Sequence, residues 1–456
     1  MIMFKKIAAY AVAAGLATGL IYSQSALAGV PIEQWTQPSG VQVFLAPSMG
    51  IPMVDVRIDF DAGSRRDPPD QAGLASATAA MTAKGVRASA SEAALDENSL
   101  SEAWADLGAS FGADASSDRM SFSLRSLTYP DLLPKAVQLA ARQLGEPDFP
   151  SAVWQREREK LVASIKEANR RPATQAGRAF AAAVYGQHPY GFEATEPTLA
   201  RITVADMKAA YQRYILPCRA KVTIVGAVTR DQADALVMNL FSRLPSAAAG
   251  SSACPVLPAV AEVAQLDKPV EQRIAFESAQ AHILIGQPGF KRDDPDYFAI
   301  TVGNYILGGG GFVSRLTNEV REKRGLSYSV YSYFAPAMHA GAFTLGLQTR
   351  PDQADQAVQV ARDVLSRFVA EGPTEKELQA AKDNLIGGFA LRVDNNRKLL
   401  DNIANIAWSQ LPLDYLDTWT QHVQRVSVAD IKAAFSRKLQ PGMMATVILG
   451  ASDSAK

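Results

Sequence analysis

A stretch near the middle of the chain returns near its end. RITVADMKAAYQR at 201–213 reappears as RVSVADIKAAFSR at 425–437, and a proline (Pro217, Pro441) and a β-rich run closing on Gly-Ala follow each copy. Roughly a dozen identities with no gap exceed what chance supplies, so the chain holds two homologous halves. GSRRDPPD at 63–70 answers GFKRDDPD at 289–296 at nearly the same offset. A length of 456 residues agrees, since one core rarely organises so long a chain.

Each half reads as mixed α and β. Residues 54–60 (VDVRIDF) and 120–125 (MSFSLR) alternate like half-buried strands, while 152–169 and 206–214 carry a helical period. Thr203 and Ser427 stand where a hydroxyl caps the free N–H groups of a helix start. Strands at 221–225 and 445–449 close their halves. Between the halves, 246–269 is rich in Ala, Ser, Pro and Val without periodicity and reads as a linker. Domains at 29–245 and 270–456 follow.

Lys plus Arg equals Asp plus Glu at 46 each, which argues against nucleic acid as a partner. The first 28 residues read as a signal peptide: Lys5 and Lys6, an apolar run over 7–21, then Ala26-Leu27-Ala28 as the cleavage signal. The apolar run is shorter than the roughly 20 residues of a spanning helix, although an uncleaved anchor is the competing reading. Cleavage after Ala28 would leave a periplasmic protein with no membrane segment and no lipid-bearing cysteine. Cys218 and Cys254 both lie in the exported part, where an oxidising compartment permits a disulfide. A loop of that size is worth about 3–4 kcal/mol in the chain-entropy model. Two buried free thiols are the alternative, and sequence alone supplies no distance.

GLASATAAMTAKG at 73–85 resembles the pitrilysin and mitochondrial processing peptidase family, whose members run GLAHxxEHMxxKG here. In that inverted zincin motif two His one helical turn apart grip Zn²⁺ and the Glu between them is the general base. Ser76 and Ala80 stand at the two His positions and Ala79 at the Glu. The family's third ligand is a Glu in a pattern like E-R-x5-E, and the matching run from Glu157 places Ser164 there. Alanine offers no ligand atom and a serine hydroxyl is a poor one for zinc. Both Glu157 and Glu159 read as a solvated helix face.

The other candidates for chemistry are weak. His188, His282, His339 and His422 are scattered singly, and His188 lies in an HPYG turn that the family shares. GASFG at 108–112 fits a nucleophile elbow around Ser110, but that elbow needs a strand before the serine and a helix after it. Here a helical run precedes and a strand follows.

The second half resembles the family more closely, through HILIGQPG at 282–289, ILGGG at 306–310 and SRLTNEVREKRGLSYSVYSY at 314–333. The resemblance implies an α+β fold of two homologous α/β domains, each a mostly antiparallel sheet packed with helices, together forming half of a clamshell. It also implies that Arg321 and Tyr328 contact the peptide across that clamshell and steady the attacked carbonyl. Residues 314–323 read as a helix stopped by Gly325, and 326–333 as a strand with Tyr328 and Val330 on one face. Gly308, Gly309, Gly310 and Gly311 could line the substrate chamber or simply end a helix. The implied function is a non-catalytic, substrate-binding subunit without a cofactor of its own, paired with a homologous subunit that carries zinc. A stand-alone peptide-binding or scaffold protein is the other reading, and an enzyme using unrecognised residues the third.

Overall fold

The computed structural model describes residues 31–245 and 254–450, so the signal peptide expected at 1–28 lies outside it. Two sheets organise the chain. The first sheet contains β1 (Glu33–Thr36), β2 (Gln42–Pro47), β3 (Met53–Phe60), β6 (Ser110–Ala115), β7 (Met120–Leu127) and β8 (Lys221–Gly226), in the order β1-β2-β8-β3-β7-β6. A small hairpin of β4 (Gly85–Val86) and β5 (Leu95–Asp96) stands apart. The second sheet contains β9 (Val270–Ile274), β10 (Ala281–Pro288), β11 (Val330–Phe334), β12 (Ala342–Thr349) and β13 (Ala445–Leu449), in the order β11-β12-β10-β13-β9.

Reversed, that second order is the first sheet without β1. In both, the last strand of the half pairs parallel with the strand on one side (β2 with β8, β9 with β13) and antiparallel with its other neighbour. The repeated sequence therefore encodes one repeated topology, mostly antiparallel. The two repeated helices, Val204–Tyr214 and Val428–Lys438, begin with reciprocal caps, Thr203 with Asp206 and Ser427 with Asp430. Each satisfies backbone donors that a helix start leaves free.

The halves are divided in sequence but not in packing. Helix Pro172–Tyr185, from the first half, lies on the second sheet, where Ala176, Phe180 and Val184 meet Ala342, Ala445, Val447 and Leu449. Helix Asn396–Trp408, from the second half, lies on the first sheet, where Leu400, Ile403 and Ala407 meet Phe44, Ala46 and Val225. This exchange corrects the reading of 54–60 as half-buried. Val54, Val56, Ile58 and Phe60 face the main core, yet Asp55 and Asp59 on the opposite face are buried too. Asp55 is bound by Arg125 at 2.6 Å and Asp59 by Arg57 at 3.0 Å. Arg57 also reaches Asp401 on the exchanged helix at 3.1 Å, so the polar face of the strand is an interface.

From Cys254 onward the linker is strapped down. Cys254 is disulfide-bonded to Cys218, Arg219 donates to the Pro255 carbonyl at 2.5 Å and Arg66 to that of Pro258 at 3.0 Å. Glu262 then reaches Lys291 and His339 of the second half, both at 3.1 Å.

His188 joins this strap as a neutral ring. Its Nδ1 accepts the Tyr190 N–H at 3.1 Å, which leaves Nε2 to donate to the Ala261 carbonyl at 3.0 Å. Burial, and then the neighbouring His339, hold its pKa below the ordinary histidine value. The unfolded chain thus takes up this proton first. The stability contributed by neutral His188 is present above about pH 6.5 and lost as the pH falls further. His188→Asn keeps an acceptor for the Tyr190 N–H. On moving from about pH 7.5 to about pH 5, the wild type should lose more melting temperature than the variant; equal losses would refute the assignment. The comparison cancels Asp67, whose carboxyl burial pushes up to about 7 and which titrates in the opposite sense.

Candidate functional site

Helix Leu74–Met81 carries the first set of positions. Asp67 anchors its start by accepting the N–H groups of Gly73 at 2.9 Å and Ala75 at 3.0 Å, and Gly73 enters with a left-handed φ of 104°. Ser76 and Ala80 lie one turn apart on the exposed side, whereas Ala79 points inward at 2% exposure. Ser164 is exposed on helix Ser151–Ala168. Beyond the first helix, Lys84 pairs with Glu97 at 2.5 Å and Glu157 at 3.8 Å, and Glu157 also binds Arg156 and Lys160. These neighbours hold Glu97 and Glu157 below the usual carboxylate range, Glu97 chiefly through its bond to Lys84 and Glu157 through Lys160.

These residues do not fit a zinc ion. The two helix positions offer one hydroxyl and one methyl, the third offers a hydroxyl, and a lysine ammonium occupies the adjoining carboxylates. Among the described residues no cluster of three or more His, Cys, Asp or Glu is arranged to hold a metal. Ser110 opens β6 after helix Glu97–Asp106, so the strand–serine–helix order of a nucleophile elbow is absent.

The second set lies at the edge of the other sheet. The helical run beginning at Arg315 winds into wide π-type turns over Thr317–Glu322, and Gly325 ends it at φ 62°. The strand then starts at Val330, later than the 326–333 expected. Ser327 is the cause: its Oγ donates to the Ser329 carbonyl at 2.7 Å and accepts the Ser329 N–H at 3.2 Å, holding a turn. Tyr328 and Val330 consequently do not share a face. Tyr328 is 86% exposed and Val330 only 6%.

Arg321 and Tyr328 are nonetheless brought together, because Arg321 Nη1 donates to the Tyr328 carbonyl at 3.4 Å. The same guanidinium sits over the ring of Phe312 at 4.7 Å, with Glu322 at 3.4 Å. Phe312 is 74% exposed and Val313 is similarly open. Sequence reasoning passed over both, although an apolar pair directly after four glycines was the available signal. In the glycine run, Gly308, Gly309 and Gly310 pack against their own chain: a Cβ would come within 2.4 Å of Ser332 Oγ, 2.8 Å of Asn304 Nδ2 and 2.7 Å of the Tyr305 carbonyl, respectively. Only Gly311, left-handed at φ 61°, faces open space. The arrangement presents a phenol and a guanidinium beside exposed apolar side chains, suited to contacting a peptide. No hydrogen bond or ion pair among the described residues links this group to Ser76, Ala80 or Ser164.

Known proteins are similar to this chain in sequence and fold. Residues 43–198 match the family model of insulinase (peptidase family M16), and 201–385 match that of the peptidase M16 inactive domain. The structure of a peptidase M16 inactive domain from Pseudomonas fluorescens superposes with a TM-score of 0.85 at 32% identity, covering 93% of this chain and 99% of that one. An uncharacterized zinc protease of Streptomyces coelicolor is 25% identical over 88% of this chain and 86% of its own length. A Helicobacter pylori protein named as a non-peptidase homolog is 24% identical over 84% and 85%. With its two repeated sheets, and with Ser76, Ala79, Ala80 and Ser164 at the zinc-motif positions, the chain belongs to peptidase family M16, the pitrilysin-like family.

Proposed function

We propose that this chain is the substrate-binding, activating subunit of a periplasmic heteromeric zinc metallopeptidase that cleaves peptides. One observation carries the reading: no His or Glu stands at the metal and base positions, while Arg321 and Tyr328 are kept together at an exposed aromatic surface. A homologous partner supplies zinc and the general base, and this chain supplies the pair and half of the chamber wall. The signal peptide read at 1–28 supports a periplasmic location for this chain, and the partner would share that compartment.

Affinity purification of the tagged chain from its own cells is the test. A homologous subunit with an intact H-x-x-E-H should be recovered in near-stoichiometric amount. Recovery of the chain as a monomer or homodimer would instead favour a stand-alone peptide-binding or scaffold protein.

A further inference from the structure

A cleft of about 530 Å³ opens between the two halves, away from both sets of positions above. The β6–β7 turn, the exchanged helix Asn396–Trp408, the turn after β10 and helix Tyr415–Arg425 wall it. Three guanidinium groups enter, each laid on an aromatic ring. Arg292 stacks on Tyr297 at 3.8 Å and Tyr415 at 5.2 Å, Arg392 on Trp419 at 5.0 Å and Arg119 on Trp408 at 5.3 Å. Such stacking fixes the guanidinium planes while leaving their N–H edges free.

Their charges are not equally answered. Arg119 is paired with Asp59 at 3.3 Å, and Lys291 on the same wall with Glu262. Neither Arg292 nor Arg392 has a carboxylate within ion-pair distance among the described residues; Arg292 gives one N–H to the Tyr415 hydroxyl at 2.7 Å. Of the two carboxylates among the residues that line the cleft, Asp118 is bound by Arg65 at 3.0 Å, and Asp293, which is exposed, offsets part of the positive charge. Two oriented, unanswered guanidiniums in a recess between rings match a planar carboxylate held by paired N–H bonds, with the group bearing it against the rings.

We infer that this interdomain cleft binds a carboxylate carried on an aromatic or apolar group. The C-terminal residue of a peptide and a free aromatic acid share that chemistry. The site does not depend on the peptidase reading, because it is complete within this chain.

Calorimetric titration of the full mature chain tests it with N-acetyl-phenylalanine, its amide, the tripeptide Ala-Ala-Phe and inorganic phosphate. The acid should bind and the amide at least about tenfold more weakly, since the charge-assisted pair is lost. Arg392→Gln, at an exposed residue, should weaken the acid by a similar factor with the melting temperature unchanged. Arg292→Gln should do the same, with circular dichroism checking its fold because it also holds Tyr415. Tighter binding of the tripeptide than of the single residue assigns the site to peptide ends, and the reverse to free acids; both support the inference. Equal affinity for acid and amide, phosphate binding as tightly as the acid, no binding at all, or binding indifferent to Arg392→Gln would overturn it.

Discussion

Tyr328→Phe should lower the turnover of the reconstituted two-subunit peptidase by about 10²–10³-fold, the usual cost of losing one well-placed oxyanion donor. The substitution removes only a hydroxyl from a ring that is 86% exposed, so packing and assembly should not change. That makes the result diagnostic: a structural role would leave turnover untouched. Arg321→Ala should act more on substrate affinity, raising KM, because on the proposed function the guanidinium would hold a contact made before the chemistry. It would also release the Tyr328 carbonyl, so a smaller loss of kcat should accompany it. Steady-state kinetics at saturating partner separate the two. A fully active Tyr328→Phe complex would reduce this chain to a wall of the chamber.

Phe180→Ala should destabilise the protein by about 3–5 kcal/mol, a large share of the 5–15 kcal/mol that holds an ordinary domain together. Its ring is buried under the second sheet, although the residue belongs to the first half of the sequence. The fit is close: a Cβ added at Gly286 on β10 would lie 2.7 Å from Phe180 Cζ. Truncation therefore leaves a void between helix and sheet that neighbours on rigid strands fill poorly. Denaturant unfolding should show the midpoint falling by that free energy. A loss below about 1 kcal/mol would mean that the exchanged helix does not hold the second sheet.

The duplication was legible because it needs only identity at a fixed offset, and the caps because Thr203/Asp206 and Ser427/Asp430 are local devices. The helix exchange was not. Apolar residues at 176, 180 and 184 mark a buried stripe, but a period says which face is covered and never by what. The same gap made Asp55 and Asp59 look solvated, when an incoming helix and three arginines cover them. That Ser76, Ala79, Ala80 and Ser164 stand at the zinc-motif positions could be read from the sequence resemblance alone, since it is a matter of residue identity. The orientation of Tyr328 could not, because the Ser327 turn shifts where the strand begins and alternation counted from Leu326 assigns the wrong face.

Metal content and peptidase activity of the pure mature chain test the central claim most directly. With Ser76, Ala79, Ala80 and Ser164 at the zinc and base positions and Lys84 tied to the nearby carboxylates, the chain alone should retain no stoichiometric zinc after dialysis and cleave no peptide. One tightly bound zinc per chain, with cleavage abolished by a chelator, would contradict the account.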